Sequence, residues 1–369
     1  MYFWGVEERV YKIALSLLQG IGVIKTKTLV SYIGGAEAVF KASDKELAAL
    51  SITSLKRIKE LKRKEALERA LEEVEFIDKN GIELHYYQDP NYPVSLRFCE
   101  DGPLVLYSKG HVQFNKENIA VVGTRKASNY GKMLVQQLMK DLAPRGVQII
   151  SGLAHGIDKE AHEAALANGL STIAVLGHGL DLIYPAAHKN LANRMLETGG
   201  VVTEFHSKYP GDPSNFPKRN RIVAGLSSAT VVIESAISGG SLITANLASD
   251  YSRDVFAFPG NVDRLQSDGC NFLIRKNLAH LITCAEDMDE VMGWEKPAVS
   301  EPEQTDLFEL PSVEEEKIIA VLKQMNQLIH FDELNEKTQM DIGELSLNLF
   351  NLEMRGKVES LPGNNYRIA

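Results

Sequence analysis

In Asn215-Phe216-Pro217-Lys218-Arg219-Asn220-Arg221, an aromatic ring, a proline, three cations and two amides crowd together, and Ile222, Val223 and Leu226 follow at helical spacing. Pro217 fixes its own φ and biases Phe216 towards extended backbone, so the stretch reads as a loop entering a helix. Cations at a helix start oppose the macrodipole by about 0.3–1 kcal/mol each. An anion placed there would relieve that repulsion and take up the free N–H groups. Phe216 offers a flat face on which a base can stack. The same residues also fit a core phenylalanine beside a solvated cationic patch.

Other turns point to the same chemistry. Gly123-Thr124-Arg125, with Lys126, Ser128 and Asn129 behind it, ends one apolar run. Ser151-Gly152-Leu153-Ala154-His155-Gly156-Ile157-Asp158, Gly177-His178-Gly179-Leu180-Asp181, and Ser238-Gly239-Gly240-Ser241-Leu242-Ile243-Thr244 follow others. Small residues and N–H donors at helix entries suit the close approach of phosphates. One such turn is weak, because glycine at a strand-to-helix turn is common for steric reasons alone. Several on one sheet edge, beside a cationic segment, are not. The pairs His155/Asp158 and His178/Asp181 fit acid–base or metal chemistry, or equally loop hydrogen bonding and helix capping. The first strand is not followed by Gly-x-Gly-x-x-Gly, and the chain has no Gly-Lys-Ser/Thr motif, which disfavours nicotinamide enzymes and ATPases.

The elements that must carry these turns follow from periodicity. Residues 119–122, 148–150, 171–176, 200–203, 230–233 and 254–257 are short, β-branched and nearly all apolar, with helical patterns between most of them. That alternation predicts a parallel sheet covered on both faces, a doubly wound Rossmann-like domain over 81–294. Its ligand would lie beyond the carboxyl ends of the strands. Residues 82–87 and 104–107 read as two strands able to extend its edge. Residues 1–80 read as helical, and Gly20-Ile21-Gly22 fits either a helix-hairpin-helix turn that holds a phosphate or a tight link. Residues 295–310 read as a linker and 311–369 as three helices with a terminal hairpin, a winged helix.

Composition sets the outer bounds. At 369 residues the chain has room for two or three domains, and a net charge of -9 means any polyanion binds a local patch. Cys99, Cys270 and Cys284 are too scattered for a disulfide framework or zinc site, which fits a reducing cytoplasm. The N-terminus carries Glu7 and Glu8 rather than an apolar leader, and no run approaches membrane-spanning length, so a cytoplasmic protein without membrane contact is expected.

The motifs named above, with Ala174-Val175-Leu176-Gly177-x-Gly179-x-Asp181, Phe216-Pro217-x-Arg219-Asn220-Arg221, Gly240-Ser241-Leu242-Ile243-Thr244-Ala245 and Gly269-x-Asn271-x-Leu273-Ile274, resemble the DprA/Smf family of bacterial DNA-processing proteins. The likeness covers about 82–291, and the flanking helical region (SAM or helix-hairpin-helix-like) and winged helix resemble the three-domain members. The resemblance implies binding and protection of single-stranded DNA without sequence preference. It also implies loading of the RecA recombinase during natural transformation and recombination, and a homodimer formed through the Rossmann-like domain. No catalytic residue, metal or cofactor is implied. Arg125, Lys218, Arg219 and Arg221 would contact phosphates. Ser151-Gly152 and Gly240-Ser241 would supply donors, and Phe216 would line a base pocket. Gly123, Thr124, Asn220 and Thr244 complete the expected DNA-binding set. Lys218 stands where arginine is common in the family, keeping the charge and losing the bidentate fork. Tyr184-Pro185-Ala186-Ala187-His188 departs from the usual Tyr-Pro-Pro-Glu-His. The rival from another class is a nucleotide phosphoribohydrolase of similar fold. Its Pro-Gly-Gly-x-Gly-Thr-x-x-Glu motif meets Ser238-Gly239-Gly240-Ser241-Leu242-Ile243-Thr244 here, without the glutamate.

From Pro311 to Ala369 six cations face ten acids, and the expected recognition helix, 341–355, holds three acids and one arginine. A duplex reader needs the reverse, so this region is expected to contact protein rather than DNA.

Overall fold

The computed structural model describes residues 2–209, 212–294, 312–325, 328–354, 356–361 and 363–368. The expected linker, 295–310, lies outside them, as do Arg355 and Pro362 within the terminal region. The chain divides into two units, Met1–Pro297 and Ala298–Ala369.

In the first unit the short apolar runs become β1 (Glu83–Tyr86), β2 (Val105–Gly110), β3 (Asn118–Val122), β4 (Gln148–Ser151), β5 (Thr172–Val175), β6 (Gly200–Thr203), β7 (Ala229–Val232), β8 (Asp254–Ala257) and β9 (His280–Leu281). They form one sheet in the order β1-β2-β6-β5-β4-β3-β7-β8-β9. From β6 to β9 every pairing is parallel, while β2 joins β6, and β1 joins β2, antiparallel. The two strands read before the Rossmann-like pattern thus extend its edge. β9 and the helices Asp268–Arg275 and Glu286–Met292 were not anticipated. A two-residue strand with both side chains exposed leaves no periodicity to read.

Alternation along the strands builds both faces. On β3, Ala120 and Val122 enter one cluster with Ile150, Val175, Val202 and the helices Asn215–Leu226 and Gly240–Asp250. Ile119 and Val121 enter the other, with Ile149, Val231 and the helices Asn129–Leu142 and Ile157–Ala167. Each fully buried aliphatic side chain contributes about 1.5–3 kcal/mol of transfer free energy, so the central strands anchor the fold. Because the chain leaves β6 at one side and returns as β7 beside β3, the sheet has its switch point between β3 and β7.

The N-terminal helices share a core with the antiparallel edge: Ile13, Leu29, Val30, Leu47 and Leu61 cluster with Ile82, Tyr86, Leu104, Val105 and Tyr107. Polar ties reinforce this contact. Lys12 Nζ meets Asp89 at 2.8 Å. Buried Glu73 accepts from the Ser207 amide at 2.9 Å and from Arg69 at 2.7 Å.

In the second unit the helices Val313–Met325, Phe331–Thr338 and Ile342–Met354 surround Ile318, Leu322, Leu334, Leu345, Leu349 and Leu352. The strands β10 (Ile329–His330), β11 (Val358–Leu361) and β12 (Asn365–Ile368) form an antiparallel sheet in the order β10-β12-β11. This is a winged helix, and Asp341 lies just before its third helix rather than inside it, accepting from the Gly343 amide at 2.9 Å.

Candidate nucleic-acid interface

A cavity of about 270 Å³ opens at the carboxyl ends of β3, β4 and β7, at the switch point. Four chain segments meet there. The turn after β3 brings Gly123, Thr124 and Arg125, and the turn after β4 brings Gly152 and Ala154 with Asp158 on the helix behind. The cationic segment brings Phe216, Arg219 and Asn220. The turn after β7 brings Ser235, Gly239 and Gly240, followed by Ser241 and Thr244.

The cationic segment itself is not a loop. The helix begins at Asn215, so Phe216 to Arg221 occupy its first two turns. Pro217 is compatible with this because the first-turn amides lack intrahelical acceptors anyway. Asp212 accepts from the Ser214 amide at 2.7 Å and its carboxyl is held below the usual range by that bond. The helical phase decides which cations converge. Phe216 and Arg219 are three residues apart and face the cavity, whereas Lys218 and Arg221 lie round the helix.

Arg219 is only 4% exposed. Its Nη1 donates to the Val175 carbonyl at 2.7 Å, and its Nε has no hydrogen-bond partner among the described residues. Burial pushes its guanidinium down, Asp158 pushes it up, and the like charge of Arg125 pushes it down again. Burial likewise pushes the Asp158 carboxyl up, against the pull of Arg219 and of the Ala154 amide. Each group in this pair is thus burdened mainly by desolvation, and an anion in the cavity would favour the charged arginine. Gly152 leaves room for the guanidinium: a Cβ there would stand 1.8 Å from Arg219 Nη1. Gly156 adopts φ +78 and allows the Thr124–Arg125 backbone to pass, since a Cβ would lie 2.2 Å from the Thr124 carbonyl.

Arg125 is exposed, and its Cζ stands 5.5 Å from the Phe216 ring centroid. The Tyr184 ring lies 5.9 Å from the same ring, tilted by 41° and well exposed. Tyr184 is a residue that the sequence reading passed over, because its motif departs from the family form and nothing local signals that it meets Phe216. The helix Gly240–Asp250 follows Gly239 without a side-chain cap or an acid in its first turn, so the Gly240 and Ser241 amides are available to an anion, while that of Leu242 donates to the Gly239 carbonyl at 3.1 Å. Asn220 Nδ2 reaches the Gly240 carbonyl at 3.4 Å, and Ser241 Oγ donates to Ser235 Oγ at 2.7 Å.

Three expected residues do not line this cavity. Ser151 is fully buried and its Oγ donates to the Val121 carbonyl at 2.6 Å, tying β4 to β3. Lys218 is exposed on the helix surface, and Arg221 pairs with Glu204 on the opposite side. Of the paired histidines and aspartates, His178 and Asp181 behave as turn residues. His178 Nε2 accepts from the Tyr184 amide at 3.2 Å, and Asp181 accepts from the Lys208 amide at 3.1 Å. Asp158 accepts from the Ala154 amide at 3.3 Å, yet it also lines the cavity. Among the described residues no group of three or more His, Cys, Asp or Glu is placed to hold a metal ion. No helix among them is long and apolar enough to cross a membrane. On the third helix of the winged unit Leu347 and Phe350 are exposed, one turn apart.

Known proteins resemble this chain in sequence and in fold. The family described as DNA recombination-mediator protein A matches residues 83–293, and the DprA winged helix domain matches 298–364. Protein Smf of Escherichia coli K12 is 38% identical over 288 residues, covering 75% of each chain. DNA processing protein DprA of Streptococcus pneumoniae is 42% identical over 204 residues, covering 54% of this chain and 71% of its own. The X-ray structure of the Streptococcus pneumoniae protein aligns with TM-score 0.65 and 31% identity over 78% of this chain and 98% of that one. DNA processing protein A from Helicobacter pylori, described by its single-stranded DNA binding mode, aligns with TM-score 0.52 and 28% identity over 57% and 95%. With more than half of its length inside the family match, the chain belongs to the DNA recombination-mediator protein A family, that of the DprA and Smf proteins.

Proposed function

We propose that this protein binds single-stranded DNA without sequence preference through the switch-point cavity, protects it, and loads the RecA recombinase onto it as a homodimer joined through the sheet domain. One observation carries the binding reading: Arg125, Phe216 and Arg219 surround a single cavity together with free helix-start amides. Cations and amides recognise the phosphate, the aromatic faces of Phe216 and Tyr184 hold a base, and such contacts favour no base in particular. The single-stranded DNA binding of the Helicobacter pylori relative supports the same choice of ligand. RecA loading and the dimer rest on family membership.

The test is fluorescence anisotropy with labelled oligo-dT, single-stranded and duplex, across salt, for wild type and Arg125→Ala/Arg219→Ala. Tight single-strand binding that falls steeply with salt and collapses in the double variant is expected. Binding unchanged in the variant would refute the assignment of this cavity. Absence of binding altogether would return the cavity to a nucleotide-cleaving role, with Asp158 as its buried carboxyl, tested by release of free base from nucleoside monophosphates.

A further inference from the structure

On the other side of the cationic helix lies a second cleft, of about 500 Å³, between that helix and the N-terminal helices. Gly20 and Gly22 line it with Lys25, Arg57, Asp101 and Arg221, so three cations face one carboxylate. That carboxylate is already engaged, accepting from the Tyr251 hydroxyl at 2.5 Å. Arg221 pairs with Glu204 through Nη2, but its Nη1 is buried and has no hydrogen-bond partner among the described residues. Lys27 stands close behind, its Nζ 3.0 Å from the Glu100 carbonyl and 5.5 Å from the Tyr87 ring centroid. Burial, and then the like charge of Arg221, push the Lys27 ammonium down. The helix Val23–Ile33 starts in this cleft at extended Gly22, without a side-chain cap or an acid in its first turn. Cations crowded against uncapped amides with a buried N–H left over describe a vacancy of negative charge.

The helical phase relates this cleft to the first cavity. Arg219 and Arg221 are two residues apart on the helix Asn215–Leu226 and project about 200° from one another. Lys218 is one turn before Arg221 and is exposed; burial pushes the Glu204 carboxyl up, and both cations pull against that rise. Cations therefore run round the start of this helix from one opening to the other. Building on the single-strand reading, we infer that the DNA strand held in the switch-point cavity crosses the first turn of the helix and sets further phosphates in the cleft of Lys25, Arg57 and Arg221. The Gly20–Gly22 turn is the phosphate-holding form of its two sequence readings, and the N-terminal helices extend the DNA track.

The experiment compares full-length wild type with Lys25→Gln/Arg57→Gln, using dT oligomers of about 4 and about 16 nucleotides. Each lost single-strand phosphate contact lowers the salt slope by about 0.7, and two contacts weaken binding about 25-fold at 0.1 M salt. That loss is expected for the longer oligomer alone, with the shorter one unchanged. Lys25→Arg/Arg57→Lys should retain the wild-type affinity and slope. Equal weakening of both lengths, or no change in the longer one, would overturn the second cleft. Failure of the first cavity reads differently: Arg125→Ala would then leave the shorter oligomer bound as tightly as wild type.

Discussion

Replacing Gly152 with alanine tests the cavity through a residue that carries no charge and makes no hydrogen bond with its side chain. The added Cβ would lie 1.8 Å from Arg219 Nη1 and 2.4 Å from both Cζ and Nη2. Ordinary carbon contacts begin near 3.4 Å, so the guanidinium must retreat by about 1.5 Å or more. It has little room to do so, being 4% exposed and fixed by its 2.7 Å bond to the Val175 carbonyl. A charge-assisted hydrogen bond to phosphate is worth about 1.5–3 kcal/mol. Losing it weakens single-strand binding about 10- to 150-fold, at 1.4 kcal/mol per decade. Because the alanine acts only through Arg219, Gly152→Ala, Arg219→Ala and the double variant should all lose a similar factor. Anisotropy titrations of the four proteins close that cycle, with circular dichroism confirming that each is folded. Gly152→Ala binding within about twofold of wild type would refute the steric argument, and losses that simply add would show that the two residues act separately.

Other outcomes follow from the same structure. Arg145 and Asp289 form a buried bidentate pair at 2.7 Å, with side-chain exposures of 5% and 4%. Asp289→Ala leaves that arginine unpaired and should cost about 3–5 kcal/mol, read as a lowered urea midpoint. A midpoint unchanged from wild type would mean the pair is not shielded from water. His162 is fully buried, and burial, then Arg219 and His188, push its imidazole down to about 3. Its unfolded form takes a proton below about 6.5 while the folded form resists, so stability should fall as pH drops from about 6.5 towards about 3, by up to about 1.4 kcal/mol per pH unit. His162→Gln should flatten that slope, and an identical acid profile would contradict the assignment. Removing the chain after Leu310 should leave single-strand affinity within about tenfold, or about 1.4 kcal/mol. A larger loss would place DNA contacts in the winged unit despite its acidic balance.

The order of residues by itself determined the doubly wound class, because parallel strands covered on both faces must be short, β-branched and apolar. All six such runs appear within a residue of their predicted bounds. It also determined the family and the edge of the sheet at which glycine and hydroxyl turns gather, since turn chemistry is local. Only the tertiary structure decided which of those residues share a space. Extending the helix back to Asn215 rotated Arg219 inward over Gly152 and carried Arg221 to Glu204. Residues in a loop have no phase, whereas residues in a helix are sorted by 100° steps, and a few residues of extra helix divide one cationic run between two openings. Tyr184 beside Phe216, and the Gly20–Gly22 turn beside Arg221, were likewise decided by packing between segments far apart in the chain. A local pattern carries no information about such contacts until the sheet has brought the segments together.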